Sequence, residues 1–276
     1  MPPRPGRAPP AKWRGRISGG AYQRRERGKY DMLGAIIGDI VGSVYEWNNI
    51  KTKDFALFRD DCFFTDDTVM TIATAEALMH GGEADDFIDA YKAWGRRYPD
   101  AGYGLRQNSW IHSADRQPYN SWGNGSAMRV SPCAWVLDYT SYGSDDWPIA
   151  GWEYVRRSAA VTHNHPAGIQ GAEATAAAIL LGRIYAAGHA IDGGKPWTLD
   201  ELKAAIKRWI EANIGYDLSR TLDEIRPTYL FNESCQDTVP QAITAFLEST
   251  DFEDAIRGAI SLGGDSDTLA AITGSI

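Results

Sequence analysis

Cysteine is scarce in this 276-residue chain: three residues, Cys62, Cys133 and Cys235, widely spaced and odd in number. That count argues against a disulfide framework and against a paired-cysteine zinc site, and fits buried thiols in a reducing compartment. No run of about 18 apolar residues occurs, so a membrane-spanning helix is not expected. The first thirty residues hold Arg and Pro without an apolar block, and so do not read as a secretory signal. A cytoplasmic location follows as the expectation. Alternating β-branched runs are nearly missing and no internal repeat recurs, which leaves little material for strands. What remains is 43% hydrophobic, enough to bury a large core.

Charge is unevenly placed. Residues 1–30 carry nine Lys or Arg and one acid, whereas the rest of the chain holds 19 bases against 35 acids. An acidic body of this kind is not expected to bind nucleic acid. The basic head, residues 1–31, lacks apolar periodicity and reads as a disordered extension or an expression remnant. A folded unit is expected over 32–276, opening on Met-Leu-Gly-Ala-Ile-Ile-Gly-Asp-Ile-Val-Gly-Ser-Val, a buried helix with glycines where neighbours approach.

Helical periodicity dominates beyond that point. Val69–His80 and Asp85–Arg97 repeat apolar residues at i, i+3, i+4, and Ile169–Ala187 is long and Ala-rich. Thr198 with Glu201 and Thr221 with Glu224 form capping boxes. Pro240 suits the first turn of a helix over Gln241–Leu247, and Asp251 caps one over Phe252–Leu262 that Gly263-Gly264 ends. Residues 98–150 read as loop. The fold class is all-α. Leu269–Ile276 looks helical but stops without a cap, so the natural protein is expected to continue past it.

Two acidic runs carry the chemistry: Thr65-Asp66-Asp67-Thr68 and Gly263-Gly264-Asp265-Ser266-Asp267-Thr268. Each precedes a helical stretch. Helix capping explains one oxygen per helix start but not four acids, because adjacent carboxylates repel. Four Asp with flanking Thr hydroxyls suit hard divalent cations instead. Glu46, at the end of the first apolar helix, is placed to serve as acid, base or water-positioning group, or simply as a solvated helix end. The loop Ser121-Trp122-Gly123-Asn124-Gly125-Ser126 can aim backbone N–H groups at an anion such as a diphosphate, with Trp122 against a base or ribose; a tight turn uses the same glycines. In Thr162-His163-Asn164-His165, a histidine stacks on an aromatic ligand or caps the following helix. Tyr103 and Trp110 are candidates for the same cleft, with plain surface aromatics as the alternative.

Taken together, these residues resemble the ADP-ribosylglycohydrolase family, the dinitrogenase-reductase-activating and ADP-ribosyl-acceptor hydrolase group. The matching pieces are Gly38-Asp39 through Glu46, Thr65–Thr68, Gly123–Arg129, Thr162-His163, Thr238-Val239-Pro240 with Phe246, and Gly263–Thr268, in the family's order. The resemblance implies an orthogonal multi-helix bundle with a binuclear Mg²⁺ or Mn²⁺ centre in a cleft. It implies Thr65, Asp66, Asp67, Asp265, Asp267 and Thr268 as metal ligands, and Glu46, with Asp66 and Asp67, at the catalytic centre. Ser121 to Ser126 match the segment that holds diphosphate and riboses, His163 the residue beside adenine. Asp100, with Tyr103 near it, matches more loosely an acid near the distal ribose.

The implied activity is metal-dependent hydrolysis at the distal ribose, freeing ADP-ribose from a modified protein or a small conjugate, arginine slightly preferred, by a monomer. The head and the short tail depart from the family pattern. An alternative is that the head plugs an ADP-ribosyltransferase, as in some immunity relatives, with hydrolysis secondary. A missing tail would leave the helix behind Asp265 and Asp267 weakly supported.

Overall fold

The computed structural model describes residues 32–139, 150–188 and 195–276. Residues 1–31, and with them the plugging role read from the head, lie outside that set. The described residues form helices α1 (Leu33–Gly42), α2 (Asp66–His80), α3 (Ala84–Arg97), α4 (Leu105–His112), α5 (Gly125–Met128), α6 (Ser131–Val136), α7 (Trp152–Ala160), α8 (Pro166–Ala186), α9 (Leu199–Asn213), α10 (Leu222–Ile225), α11 (Cys235–Glu248), α12 (Phe252–Ile260) and α13 (Ser266–Ser275). They contain no strand; Gly123 and Ser234 make an isolated antiparallel bridge.

α8 is the central post. Thirteen of its residues from Ala167 to Leu181, and Ile184, are buried, and α5, α6, α7, α9 and α11 pack around it. Each of Ile179, Leu180, Leu181 and Ile184 contributes about 2 kcal/mol by leaving water. A second layer is built on α13, which is buried against α1, α11 and α12.

The α1–α13 contact is the closest in the molecule, and the sequence of α1 permits it. Gly34, Gly38 and Gly42 recur every four residues and so share one face. A Cβ at Gly34 would lie 1.9 Å from the Gly274 carbonyl oxygen, at Gly38 2.1 Å from the Ala270 oxygen, and at Gly42 2.5 Å from Asp267 Cα. Backbone meets backbone along this seam. Asp39 and the residues after Gly42 are thereby carried against the start of α13.

Local signals predict most helix starts. Thr198 and Thr221 complete their capping boxes, and Asp251 accepts from Asp254 N–H at 2.8 Å. Gly263 and Gly264 both take positive φ (68° and 73°) in the link to α13, while α12 itself ends at Ile260, two residues short of the expected Leu262. Two expectations are corrected. Pro240 lies inside α11, not in its first turn, because Ser234 caps the helix earlier by accepting from Asp237 N–H at 3.3 Å. The stretch 98–139 holds α4, α5 and α6 between its loops; these helices are too short to show a period and are stabilised by packing on α3, α8 and α2.

Candidate functional site

Both acidic runs open helices, and the α1–α13 seam brings those openings together. At the start of α2, Asp39 of α1 does the work of a cap from outside. Its carboxylate accepts from Thr65 N–H (3.0 Å), Thr65 Oγ1 (2.7 Å) and Thr68 N–H (3.0 Å). Those amides have no partner within the helix. Asp66 is then left half-buried on the cleft side, and Asp67 is buried. Across the gap, Thr268 Oγ1 donates to Asp67 Oδ2 at 3.2 Å, which ties the first run to the second. At the start of α13, Asp265 accepts from Asn124 Nδ2 at 2.6 Å and Asp267 from Thr268 N–H at 3.0 Å.

Glu46 is held by a bracket that the sequence did not reveal. The Asn49 side-chain amide meets the carbonyls of Glu46 (2.7 Å) and Gly264 (2.9 Å), while its Oδ1 accepts from Gly264 N–H at 2.7 Å. Lys51 adds a second tie, donating to the Tyr229 carbonyl at 2.6 Å and to that of Leu262. Carboxylate oxygens of Glu46, Asp265 and Asp267 consequently lie within 4.8 Å of one another.

So many acids in one place resist ionisation. Burial first, then Asp267 and the other neighbouring carboxylates, pushes Asp66 and Asp67 well above the usual range. Burial and then Asp265 do the same to Asp267. Asp265 rises to about 6, mainly by burial. Glu46 rises to about 8, by burial, then Asp267, then Glu233. Asp67 Oδ1 is buried without any hydrogen-bond donor, an arrangement that costs stability unless a cation meets it. All the donors are hard oxygens. The residues present therefore fit divalent cations of the Mg²⁺ or Mn²⁺ kind.

These carboxylates line a cleft of about 570 Å³, a size suited to a small-molecule ligand. Thr65, Asp66, Asp67, Asp265, Asp267 and Thr268 all line it, as does Glu46. Tyr119, His163, Gln107 and Arg106, the single Lys or Arg among the described lining residues, line it as well. The Tyr119 ring packs against His163 at 5.9 Å, and the Arg106 guanidinium lies 5.3 Å over Tyr119. Ser121, Gly123, Asn124, Gly125 and Tyr103 line the cleft too.

Three predicted contacts stand elsewhere. Asp100 is exposed and is not among the lining residues. Trp122 turns edge-on to His165 at 5.9 Å, about half exposed. Ser126 is buried behind the loop, its hydroxyl donating to the Gly168 carbonyl at 2.6 Å. Of the two histidines, His165 caps α8, accepting from Ala167 N–H at 3.1 Å, and His163 faces the cleft. Trp110 is a core residue that donates to the Gln117 carbonyl. The glycine loop is less free than its sequence suggests: Gly123 N–H goes to Ser121 Oγ and Asn124 N–H to the Glu233 carbonyl.

Asn49, Arg106, Tyr119 and Glu233 belong to the site or its support and were not singled out; they are ordinary loop or helix residues until the chain folds. Asp39 was named only within the piece Gly38-Asp39, without a role.

With this geometry in place, comparison with known proteins is informative. The family model described as ADP-ribosylglycohydrolase matches residues 21–276. The chain is 27% identical to the ADP-ribosylarginine hydrolase Tri1 of Pseudomonas putida, across 92% of this chain and 70% of that one. It is 25% identical to the ADP-ribosylhydrolase ARH3 of Mus musculus, across 89% and 81%. A solved structure titled "ADP-ribosylglycohydrolase-related protein complex" shares the fold, with a TM-score of 0.61 and 23% identity over 89% of this chain and 83% of that one.

Proposed function

This chain belongs to the ADP-ribosylglycohydrolase family, and on that premise we propose that it hydrolyses the glycosidic bond at the distal ribose of ADP-ribose. The substrate is ADP-ribosylated protein, with arginine the preferred acceptor. The observation that carries this reading is the meeting of both acidic runs and Glu46 in one cleft that aromatic rings and a guanidinium also line.

Thr65, Asp66, Asp67, Asp265, Asp267 and Thr268 would hold two divalent cations. When bound, these supply charge stabilisation at the sugar and a water of lowered pKa. The protein's own groups do the rest. Glu46 reaches the cleft with a carboxyl that exchanges its proton near neutrality in the cation-free chain, at about 8, which suits a group that takes a proton from water or gives one to the leaving nitrogen. Asn49 ties the Glu46 main chain to that of Gly264, the neighbour of Asp265.

In the same cleft, Tyr119 and His163 pack beside each other where adenine would lie. Arg106 supplies the positive charge that a diphosphate needs in an otherwise acidic cleft. For the acceptor, Trp47 lines the cleft at the Glu46 side and stacks on Phe231 at 5.1 Å, with Glu233 nearby. An aromatic face beside carboxylates favours a guanidinium over a neutral serine oxygen. The name of the P. putida relative points the same way.

The test is release of free ADP-ribose from an ADP-ribosyl-arginine protein with Mg²⁺, with Mn²⁺ and with chelator. Release that needs a cation is expected. Turnover undiminished by chelator would overturn the metal assignment, and faster release from serine-linked substrate would overturn the arginine preference.

A further inference from the structure

The largest fully buried side chain described is an arginine. Arg129 has no exposed surface and no carboxylate partner among the described ion pairs. Its Nη2 donates to the Ser158 carbonyl at 2.8 Å and to Thr162 Oγ1 at 2.6 Å. Its Nε and Nη1 find no acceptor, and the guanidinium rests 4.2 Å over the Tyr91 ring. A buried cation without an acid is costly, so its surroundings are informative. They lead directly to the cleft. Thr162 Oγ1 is 2.8 Å from His163 Nδ1, and His163 Nε2 sits beside the glycine loop, where a Cβ on Gly125 would be 3.1 Å away.

We propose that Arg129 and Thr162 are positioning residues that lock His163 as the neutral tautomer with its proton on Nε2, making it a hydrogen-bond donor in the wall of the cleft.

The proton count supports this. Arginine can only donate, so Thr162 Oγ1 accepts a hydrogen bond from Arg129 Nη2 and keeps its own hydroxyl hydrogen to give. His163 Nδ1 lies within reach to accept it. The electrostatics agree, because a fixed positive charge behind Thr162 favours the ring orientation and tautomer whose lone pair faces it and whose N–H points away. Burial, then Arg129 and then Arg106, also keep the ring neutral, holding its pKa well below the usual histidine value. Tyr119, whose phenol meets Thr162 and whose own pKa is raised to about 12, stays protonated and adds no negative charge. His163 would then select a ligand atom with a lone pair, such as a purine ring nitrogen or a ribose oxygen. That last identification rests on the proposed function; the tautomer does not.

The test is nitrogen-15 NMR of the histidine rings in the full chain, with His163 assigned by loss of its signals in His163→Asn. The expected spectrum shows Nε2 protonated, Nδ1 bare and the ring neutral from pH 6 to 8. Thr162→Val should erase that single-tautomer signature and weaken ADP-ribose binding roughly tenfold, the effect of one hydrogen bond to a buried group; Thr162→Ser should restore both. An Nδ1–H tautomer or an imidazolium in the unmodified protein would overturn the proposal. So would a Thr162→Val ring unchanged from the parent. Should Thr162→Val fail to fold, the parent spectrum still decides. Absence of ADP-ribose binding by the parent would count against the functional reading alone.

Discussion

Asp39 shows how one residue can serve the site without facing the ligand. It saturates three donors at the start of α2 and so frees Asp66 and Asp67 to turn towards the cleft. Its acid neighbours make the site's residues separable by mutation. Asp267→Ala removes one of the three converging carboxylates and is expected to abolish turnover; full activity measured at saturating Mg²⁺ would refute the metal assignment. Glu46→Gln keeps the shape and loses the exchangeable proton. Turnover should drop by about 10²–10⁴-fold, while the Kd for ADP-ribose, measured by calorimetry with cation present, stays within about threefold. Arg106→Ala should do the reverse: weaker ADP-ribose binding, more so at low salt, with adenosine binding little changed. Residue types alone drew attention to the aspartates, whereas Glu46 read equally as a solvated helix end and stood out only through the family resemblance. Arg106 and Asn49 were not legible, because nothing local distinguishes a cleft-lining arginine or a bracketing asparagine from a surface one.

Among the elements, α1 and α13 are the pair on which the site depends. Gly38→Ala places a methyl 2.1 Å from the Ala270 carbonyl, and backbone on both sides must move. A loss of about 1–3 kcal/mol is expected in urea unfolding, together with loss of activity, since Asp39 and Asp267 flank the seam. Gly104→Ala is the control, having no atom within 4 Å and no positive φ, and should leave stability within about 0.5 kcal/mol. Thr198→Ala removes a cap on α9, far along the chain from the acids, and should cost about 1 kcal/mol with activity intact. Caps were readable in the sequence because they join residues three apart. The start of α11 was not, because Pro240 looked like an opening residue and Ser234 was the true cap.

For the molecule as a whole, the acidic cluster ties stability to pH and to cations. Glu46 has a folded pKa of about 8, above its unfolded 4.5, and Asp265 one of about 6, above 3.8. Folding therefore takes up protons between the unfolded and folded values, and stability falls as pH rises through that window. The Tm of the cation-free protein should decline from pH 5 to pH 8.5. Added Mg²⁺ or Mn²⁺ should raise it most at the alkaline end, as ligand binding to the folded state requires. A Tm that rises with pH in chelator would contradict the clustered acids.

Composition and periodicity by themselves determined an all-α chain, the caps of α9, α10 and α12, and two carboxylate runs whose like charges call for a positive partner. Those are consequences of neighbours within about four residues, where propensity, capping and like-charge repulsion act. Only the tertiary structure decided that the two runs face each other through a glycine seam, that Asn49 fastens Glu46 to the second run, and that Asp100 and Trp122 stand aside. It also decided that a buried arginine stands behind His163. Each of these joins residues far apart in the chain, and distance across a folded core is set by packing, which no local pattern encodes.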